Sequence, residues 1–506
     1  MANIGERLQL PEVILKQNCL RTLILRDAPK IRMINDVLVR LEHLRVLDLS
    51  DSCIEGLPDS IGKLLHLRYL ELDRTSIRRI PESIGRLANL QTLSIAECKC
   101  LDQLPKTITM LRSLRCLRLK RTPLTHLPKG ISKLKNLITL GGLIIGCSEY
   151  ATGPDEGCQL EELRSLSKLR YVRIHNLERA VKGGGEVLAN MLLLKRLFLS
   201  WSNQAPVWQE QMQRAEETCN SLCPPPSVRE LNIKEFPYQR FPIWFRSPSV
   251  DACFPNLSYL ILDHFPSCAE LPPLGQLPKL KFLSIREADA VVAIGPEILG
   301  HIPPGAAAFP KLEVMQFVDM RNWEQWSSCM TEEDGDGERL RLLPNLHKCY
   351  LIDCPKLRAV PGGLRRATRL KLLKIRSNHS LTEIVNLAFL DELHVSSNQR
   401  LQRISYLPSL RYLAISDCPQ MVCVCVENLD SLQHLVLECS PTTEHLPRWL
   451  PLLIELHRRE GASFEKFELR CSLPLLESCR RNEANWDVVQ PIPQVRIRTK
   501  DVSRFI

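Results

Sequence analysis

An apolar motif, L-x-x-L-x-x-L-x-L, returns along almost the whole chain, at first every 23 or 24 residues. It reads Leu41, Leu44, Leu47, Leu49; Leu64, Leu67, Leu70, Leu72; Leu87, Leu90, Leu93, Ile95; and Leu111, Leu114, Leu117, Leu119. Each unit has one apolar edge, which only a neighbouring unit covers, so a fixed period of this length dictates a stack rather than one globular core. Length is then a poor guide to domain number. A chain of 506 residues would otherwise suggest roughly three domains, but the core of a stack grows lengthwise.

Taking the second apolar residue as marker, units fall at Leu20, Leu44, Leu67, Leu90, Leu114, Leu137, Leu169, Leu194, Val228, Leu257, Leu280, Leu312, Leu346, Leu370, Leu390, Leu410 and Leu432. Two degenerate units follow, Phe464-x-x-Phe467-x-Leu469 and Ile492-x-x-Val495-x-Ile497. In x-L-x-L-x the leucines point inward and the intervening residues outward, the alternation of a strand. Pro58, Pro81, Pro105 and Pro128 then end the strand, and P-x-S-I-G-x-L leaves room for only a short helical turn. The expected fold is an α/β repeat solenoid: a horseshoe with a concave parallel β-sheet and a convex side of loops and short helical turns.

The period divides the array into residues 1–141, with regular repeats of 23–24 residues, and 142–506, with irregular repeats and long insertions in the same continuous solenoid. The surplus falls in Gly141 to Gly157, in the polar, helix-prone stretch from Gln204 to Ser227, in Ala288 to Phe309, and in Gln325 to Arg341, which holds the acidic T-E-E-D-G-D-G-E. Long loops on a rigid scaffold are more often functional or disordered than neutral. The acidic run lacks the ligand spacing of a calcium loop and reads as a solvated loop. Trp323 and Trp326, just after a strand, are expected to staple that loop to the scaffold.

Composition narrows function. A hydrophobic share of 44% with only 6% aromatics leaves leucine to fill the interior. The net charge of +10 comes without a Lys/Arg run of five or more, which argues against a nucleic-acid arm. The N-terminal M-A-N-I-G-E-R-L-Q-L-P-E-V-I-L-K-Q has no basic stretch followed by an apolar one, so no secretory signal is expected. Leu137 to Cys147 is far short of the roughly 20 apolar residues of a membrane span. The sequons at Asn256 and Asn378 then read as chance matches. Of 20 cysteines, Cys98, Cys354 and Cys418 fall three residues after the last apolar residue of a strand, a register shared by Asn378, Asn398, Thr75 and Thr122. A small polar group there satisfies backbone at the turn, so these thiols read as reduced and structural. The C-x-C pairs Cys98/Cys100 and Cys423/Cys425 lack histidine partners at zinc spacing, and no metal is expected.

Several segments go beyond a generic repeat: Leu67 to Leu93, with I-P-E-S-I-G-R-L-A-N-L; Pro225 to Trp244, with F-P-Y-Q-R-F-P-I-W; Leu271 to Ile285, with L-P-P-L-G-Q-L-P-K-L; Phe309 to Trp326; and the tail N-W-D-V-V-Q-P-I-P-Q-V-R-I. In this order they closely resemble the C-terminal leucine-rich region of plant nucleotide-binding (NB-ARC) disease-resistance proteins of the coiled-coil class, nearly end to end. The resemblance implies a leucine-rich-repeat module of plant innate immunity that senses a pathogen effector or a guarded host protein and restrains a nucleotide-binding switch. The chain departs from that family in carrying no G-x-x-x-x-G-K-[ST] and no M-H-D. Gly62-Lys63 is followed by Leu64 inside a repeat. No cofactor or nucleotide is expected to bind. A second reading, a stand-alone intracellular signalling scaffold of the Ras-group-related type, suits the L-P-x-S-I-G-x-L units but not the irregular zone.

Candidate partner-binding residues are the outward ones: Asp48, Asp51, Glu71, Asp73, Arg74 and Glu97, then Arg118, Lys120 and Arg121, with His175, Trp201 and Lys234 on later units. They run from acidic to basic, a bipolar strip that orients a partner. For each taken singly, an ordinary solvated side chain is the competing reading. Trp201 is either an exposed anchor or a residue packed beneath the loop that follows. Histidines are scattered, with His43, His66, His347 and His434 at outward positions. No nucleophile elbow or phosphate loop accompanies them, so no enzyme is expected. The partner is a protein, an effector, a guarded host protein or an NB-ARC domain, with no nucleic acid and no membrane span. The location is cytoplasmic, with a peripheral plasma-membrane or nuclear site also open.

Overall fold

The computed structural model describes residues 19–27, 38–145, 157–180, 187–202, 209–326, 341–421, 423–424, 429, 431–439, 445–459, 464–481, 483 and 485–499. Two compact units divide between Glu235 and Phe236. In the first, nine parallel strands follow one another: β1 Thr22–Ile24, β2 Val46–Asp48, β3 Tyr69–Glu71, β4 Thr92–Ser94, β5 Cys116–Arg118, β6 Thr139–Ile144, β7 Tyr171–His175, β8 Arg196–Ser200 and β9 Glu230–Lys234. Their register aligns Leu23, Leu47, Leu70, Leu93, Leu117, Leu140, Val172, Leu197 and Leu231 in one buried row. That row is the L-x-L of the motif, turned inward by strand alternation.

The second unit repeats the plan. Its strands are β10 Tyr259–Asp263, β11 Phe282–Arg286, β12 Val314–Val318, β13 Lys348–Ile352, β14 Leu372–Arg376, β15 Glu392–Ser396, β16 Tyr412–Ser416, β17 His434–Glu438, β18 Lys466–Cys471 and β19 Gln494–Thr499. Every expected repeat contributes a strand, the two degenerate ones included. The buried row runs from Leu260 through Phe467 and ends at Val495, which is 38% exposed because no strand follows it among the described residues. Both units are leucine-rich-repeat solenoids.

The return path behaves as its prolines dictate. Short 3-10 turns span Asp59–Lys63, Glu82–Arg86 and Lys106–Met110, each entered from an extended proline, Pro58, Pro81 and Pro105. Their isoleucines Ile61, Ile84 and Ile108 are buried. The glycine of S-I-G has a packing reason: a Cβ on Gly85 would stand 2.6 Å from Thr107 Cβ and 2.8 Å from its carbonyl oxygen. Regularity ends at a bulge in β6, where the register slips between Gly141 and Leu143 and Gly142 takes φ 142°, a conformation open to glycine.

Insertions in the later repeats fold into their own elements. An α-helix spans Gln209–Ser221, within the stretch expected to be helix-prone. Ala293–Ile294 pairs with Gln325–Trp326, and Ala307–Ala308 with Arg341–Leu342. The aromatic residues of the F-P-Y-Q-R-F-P-I-W segment are core: Phe236 and Phe241 stack with ring centres 5.3 Å apart, and Phe245 packs edge-on at 5.7 Å from Phe241. Trp323 is buried against Phe317 at 4.7 Å and donates its Nε1–H to the Gln325 carbonyl, with Trp326 edge-on to Phe317. The acidic run they were expected to staple lies outside the described residues, as does Cys425.

The turn off most strands uses a left-handed residue, usually a charged one. Asp51, Arg74, Glu97 and Arg121 have φ of 61°, 55°, 61° and 58°, and Glu287, Asp319, Asp353, Ser377, Ser397 and Asp417 do the same in the second unit. Such a residue costs about 1 kcal/mol, and its amide extends the sheet's ladder: Arg74 N–H donates to the Ala96 carbonyl at 2.8 Å and Glu97 N–H to the Lys120 carbonyl at 2.7 Å. The reversal drops the next side chain into the core. Thr75, Cys98, Cys354, Asn378 and Asn398 occupy that slot, and all are buried. Cys98 donates its thiol to the Leu72 carbonyl at 3.0 Å, and burial pushes the Cys354 thiol up to about 12. Asn378 is buried in this slot, so its sequon is not an accessible acceptor. Phe236, Phe265, Ala288 and Met320 follow left-handed corners in the same way, so the slot also accepts apolar groups.

Candidate recognition surface

Outward positions of the first unit fall in register across neighbouring strands: Asp48 beside Glu71, Glu71 beside Ser94, Ser94 beside Arg118. The acidic half is largely closed by partners. Alternation makes Asp48 an outward residue, yet it is only 3% exposed, and that expectation is corrected. Arg26 lies over it, Nε to Oδ2 at 2.6 Å, and the Ser50 amide donates to Oδ1 at 3.0 Å. Burial pushes the Asp48 carboxyl up, but the Ser50 hydroxyl and amide and then the Arg26 guanidinium outweigh it and hold the group below its usual range. Glu71 stands 3.7 Å from the same guanidinium. Asp73 accepts from Ser94 Oγ at 2.6 Å and the Ala96 amide at 2.8 Å.

The corner residues pair with one another. Arg74 Nη2 reaches Asp51 Oδ2 at 2.7 Å, and Arg121 Nη1 reaches Glu97 Oε1 at 3.4 Å. Exposed pairs of this kind are worth at most about 1 kcal/mol. Arg118 and Lys120 stand exposed between them on the sheet side. The first strands thus present neutralised acids followed by exposed cations.

Further along, His175 is half-buried and takes a 2.7 Å hydrogen bond with Ser200 Oγ. Burial, helped by the Arg173 charge, lowers its pKa to about 4, so it is a neutral surface group near pH 7. Trp201 is 2% exposed, which rules it out as an exposed anchor. Counting by twos from Leu197 and Leu199 puts it in the inward register, and its amide donates to the Lys234 carbonyl at 3.2 Å. Lys234 is exposed beside Glu235, 3.8 Å away.

The strongest surface grouping was not among the expected residues. On β7 and β8 the Arg173 guanidinium lies 4.5 Å from the centre of the Phe198 ring, and that of Arg196 lies 5.1 Å from Tyr171. The two rings are themselves 5.3 Å apart. Interleaved cations and rings hold guanidinium planes rigidly, and the signal was legible in Y-V-R-I-H and R-L-F-L-S as outward residues. The second unit carries its own aromatic row. Tyr259 and Phe282 stack at 5.7 Å, and Tyr412 lies between His394 at 5.1 Å and His434 at 4.8 Å.

A family profile described as a leucine-rich repeat region matches residues 19–331. Among curated proteins, a disease-resistance-type protein of Arabidopsis thaliana is 33% identical over 236 residues, 44% of this chain and 16% of that protein. Disease resistance protein RGA2 of Solanum bulbocastanum is 29% identical over 266 residues, 51% of this chain and 26% of its own length. The chain thus aligns to about a quarter or less of these relatives. Among solved structures, a leucine-rich-repeat protein of Leptospira interrogans superposes with a TM-score of 0.48 at 20% identity, over 82% of this chain and 95% of that one. Among the described residues no helix is long and apolar enough to cross a membrane.

Proposed function

This chain belongs to the leucine-rich-repeat region family, and from that premise we propose that it is a protein-recognition module of plant innate immunity, cytoplasmic and without catalysis of its own. Its sheet side engages a pathogen effector or a guarded host protein and restrains a nucleotide-binding domain. One observation carries the reading: outward rows present exposed Arg118 and Lys120, together with the Arg173–Phe198 and Arg196–Tyr171 stacks, on a scaffold whose inward strand leucines are committed to the core. The similarity to plant disease-resistance proteins supplies the biological setting. Restraint and release require the partner to bind two receptor states with different affinity, since equal affinity shifts nothing.

The test is binding between the full chain and nucleotide-binding domains of disease-resistance proteins from the same organism, by two-hybrid and by pull-down with purified proteins. Replacing Arg118, Lys120 and Arg121 together by Glu should weaken the complex at least about tenfold and leave the melting temperature within about a degree or two, because these side chains are exposed. A complex indifferent to that reversal removes the sheet side from the proposal. No complex with any such domain removes the restraint.

A further inference from the structure

The side chains of one row of the first unit make no hydrogen bond or ion pair among the described residues. The residue that enters each strand sits on the edge of the sheet, and main-chain bonds fix it against its counterparts: Arg45 N–H donates to the Arg21 carbonyl at 2.7 Å, Arg68 to Arg45 at 2.8 Å, Lys195 to Arg170 at 2.8 Å, and Arg229 to Lys195 at 2.8 Å. With Arg115 included, seven of nine successive rungs are cationic, broken only by Gln91 and Ile138, and all but half-buried Lys195 are exposed. The turns leading into β2 to β9, residues 42–43, 65–66, 88–89, 112–113, 135–136, 167–168, 192–193 and 226–227, hold Glu42 as their one carboxylate and add Arg112, Lys135 and Lys168. The matching rungs of the second unit alternate in sign, with Lys281, Glu313, Lys371, Asp391, Arg411 and Glu465.

Neighbouring rungs stand about 4.8 Å apart, and like charges facing each other across a ladder destabilise it. Burial does not require this residue type here, because the second unit tolerates either sign. A repeated cost with no structural return points to a ligand that supplies the missing negative charge.

We infer that this cationic edge binds an acidic, extended segment of a protein partner. The reading rests on the proposed recognition role of the sheet side and names the chemistry it recognises. Charge and its neighbours select the class of ligand. Next to the edge, from β2 to β7, runs a row of low charge, Val46, Tyr69, Cys116, Thr139 and Tyr171 half-buried or exposed and Thr92 buried, which continues on β8 and β9 with Arg196 and Glu230, 3.9 Å apart. A peptide lays its carboxylates on the edge and its apolar side chains on the neighbouring row. A polyphosphate strand, charged along its whole length, leaves that row of low charge unmatched.

The experiment is fluorescence anisotropy on the full chain with three labelled probes of equal length: oligo-glutamate, oligo-lysine and oligo-thymidylate. Oligo-glutamate should bind, more weakly as salt rises, and ahead of the thymidylate; oligo-lysine should not bind. Replacing Arg45, Arg68 and Arg115 by Glu should weaken oligo-glutamate at least about tenfold, and the milder Gln triple should weaken it less while unfolding at the same or higher denaturant, since it relieves repulsion. The Lys348→Glu control on the second unit should change nothing. Tighter binding of thymidylate, oligo-glutamate binding unchanged in both triples, or a Gln triple that is destabilised would each overturn the inference. Capture of a nucleotide-binding domain with no oligo-glutamate binding sinks this inference alone. Oligo-glutamate binding with no captured domain sinks the restraint alone.

Discussion

Asn378 offers a direct measure of what the slot behind each left-handed corner contributes. The side chain is fully buried. Its Oδ1 accepts from the Cys354 amide at 2.9 Å and its Nδ2 donates to the Leu351 carbonyl at 3.2 Å, tying one coil to the previous one. Its own amide donates to Asn398 Oδ1 at 2.8 Å, so the link passes on to the next coil. In Asn378→Ala the buried Cys354 amide loses its acceptor, which costs about 1–3 kcal/mol, and the second bond adds about 1 kcal/mol, for about 2–4 kcal/mol in all. Thr75→Val is the matched control. That hydroxyl donates to the Leu72 carbonyl at 2.8 Å, but the same carbonyl also accepts the Cys98 thiol at 3.0 Å. No backbone group is orphaned, and the loss should stay below about 1 kcal/mol. Guanidinium unfolding of each variant, read with peptide-resolved hydrogen exchange, separates the two. Exchange at the Cys354 amide should accelerate in Asn378→Ala. Equal midpoints for the two variants, with protection at Cys354 unchanged, would refute the idea that the slot works by satisfying backbone.

Two further outcomes follow from the same coordinates. Gly85→Ala should lower the unfolding free energy by about 1–3 kcal/mol, because its Cβ meets Thr107 at 2.6 Å, whereas Gly56→Ala, with nothing within 4 Å, should be near neutral; thermal melts of the two compare them directly. His175 titrates near 4 when folded against an ordinary 6.5, so the unfolded chain binds the extra proton first and stability falls as pH drops from about 6.5 toward 4, by no more than about 3 kcal/mol. Denaturant midpoints across that range should show the step in the native chain and lose it in His175→Gln; an identical pH profile would clear His175 of the effect.

The fold was legible because its information is periodic. Leu47, Leu70 and Leu93 specify strand, register and neighbour at once, and even Phe467 and Val495 join the row. The proline-led turns were equally readable, since a fixed φ and a missing donor leave few options. The surface was harder. Trp201 misled because it lies one step past its strand, where alternation still holds but the eye groups it with the loop. Asp48 misled because exposure depends on Arg26, 22 residues away, and nothing local announces that partner. Arg173 and Arg196 escaped notice because each strand contributes one cation and one ring, and the grouping exists only when β7 and β8 lie side by side.

Charge on this array therefore divides by register. Corner residues such as Asp51 and Arg74 hold a left-handed turn and neutralise each other, so their sign matters little beyond the pair: exchanging Asp and Arg between two corners preserves both turn and bond. Residues within or entering the strands have no such obligation, because their backbone is ordinary β and their neighbours' leucines set the fold. Only there does the choice of Arg21, Arg45 and Arg68 in succession cost stability without aiding the stack. The positions freest of structural duty are those where like charges accumulate, and that excess of repulsion over any folding need is the ground on which this edge is proposed as the surface for a partner.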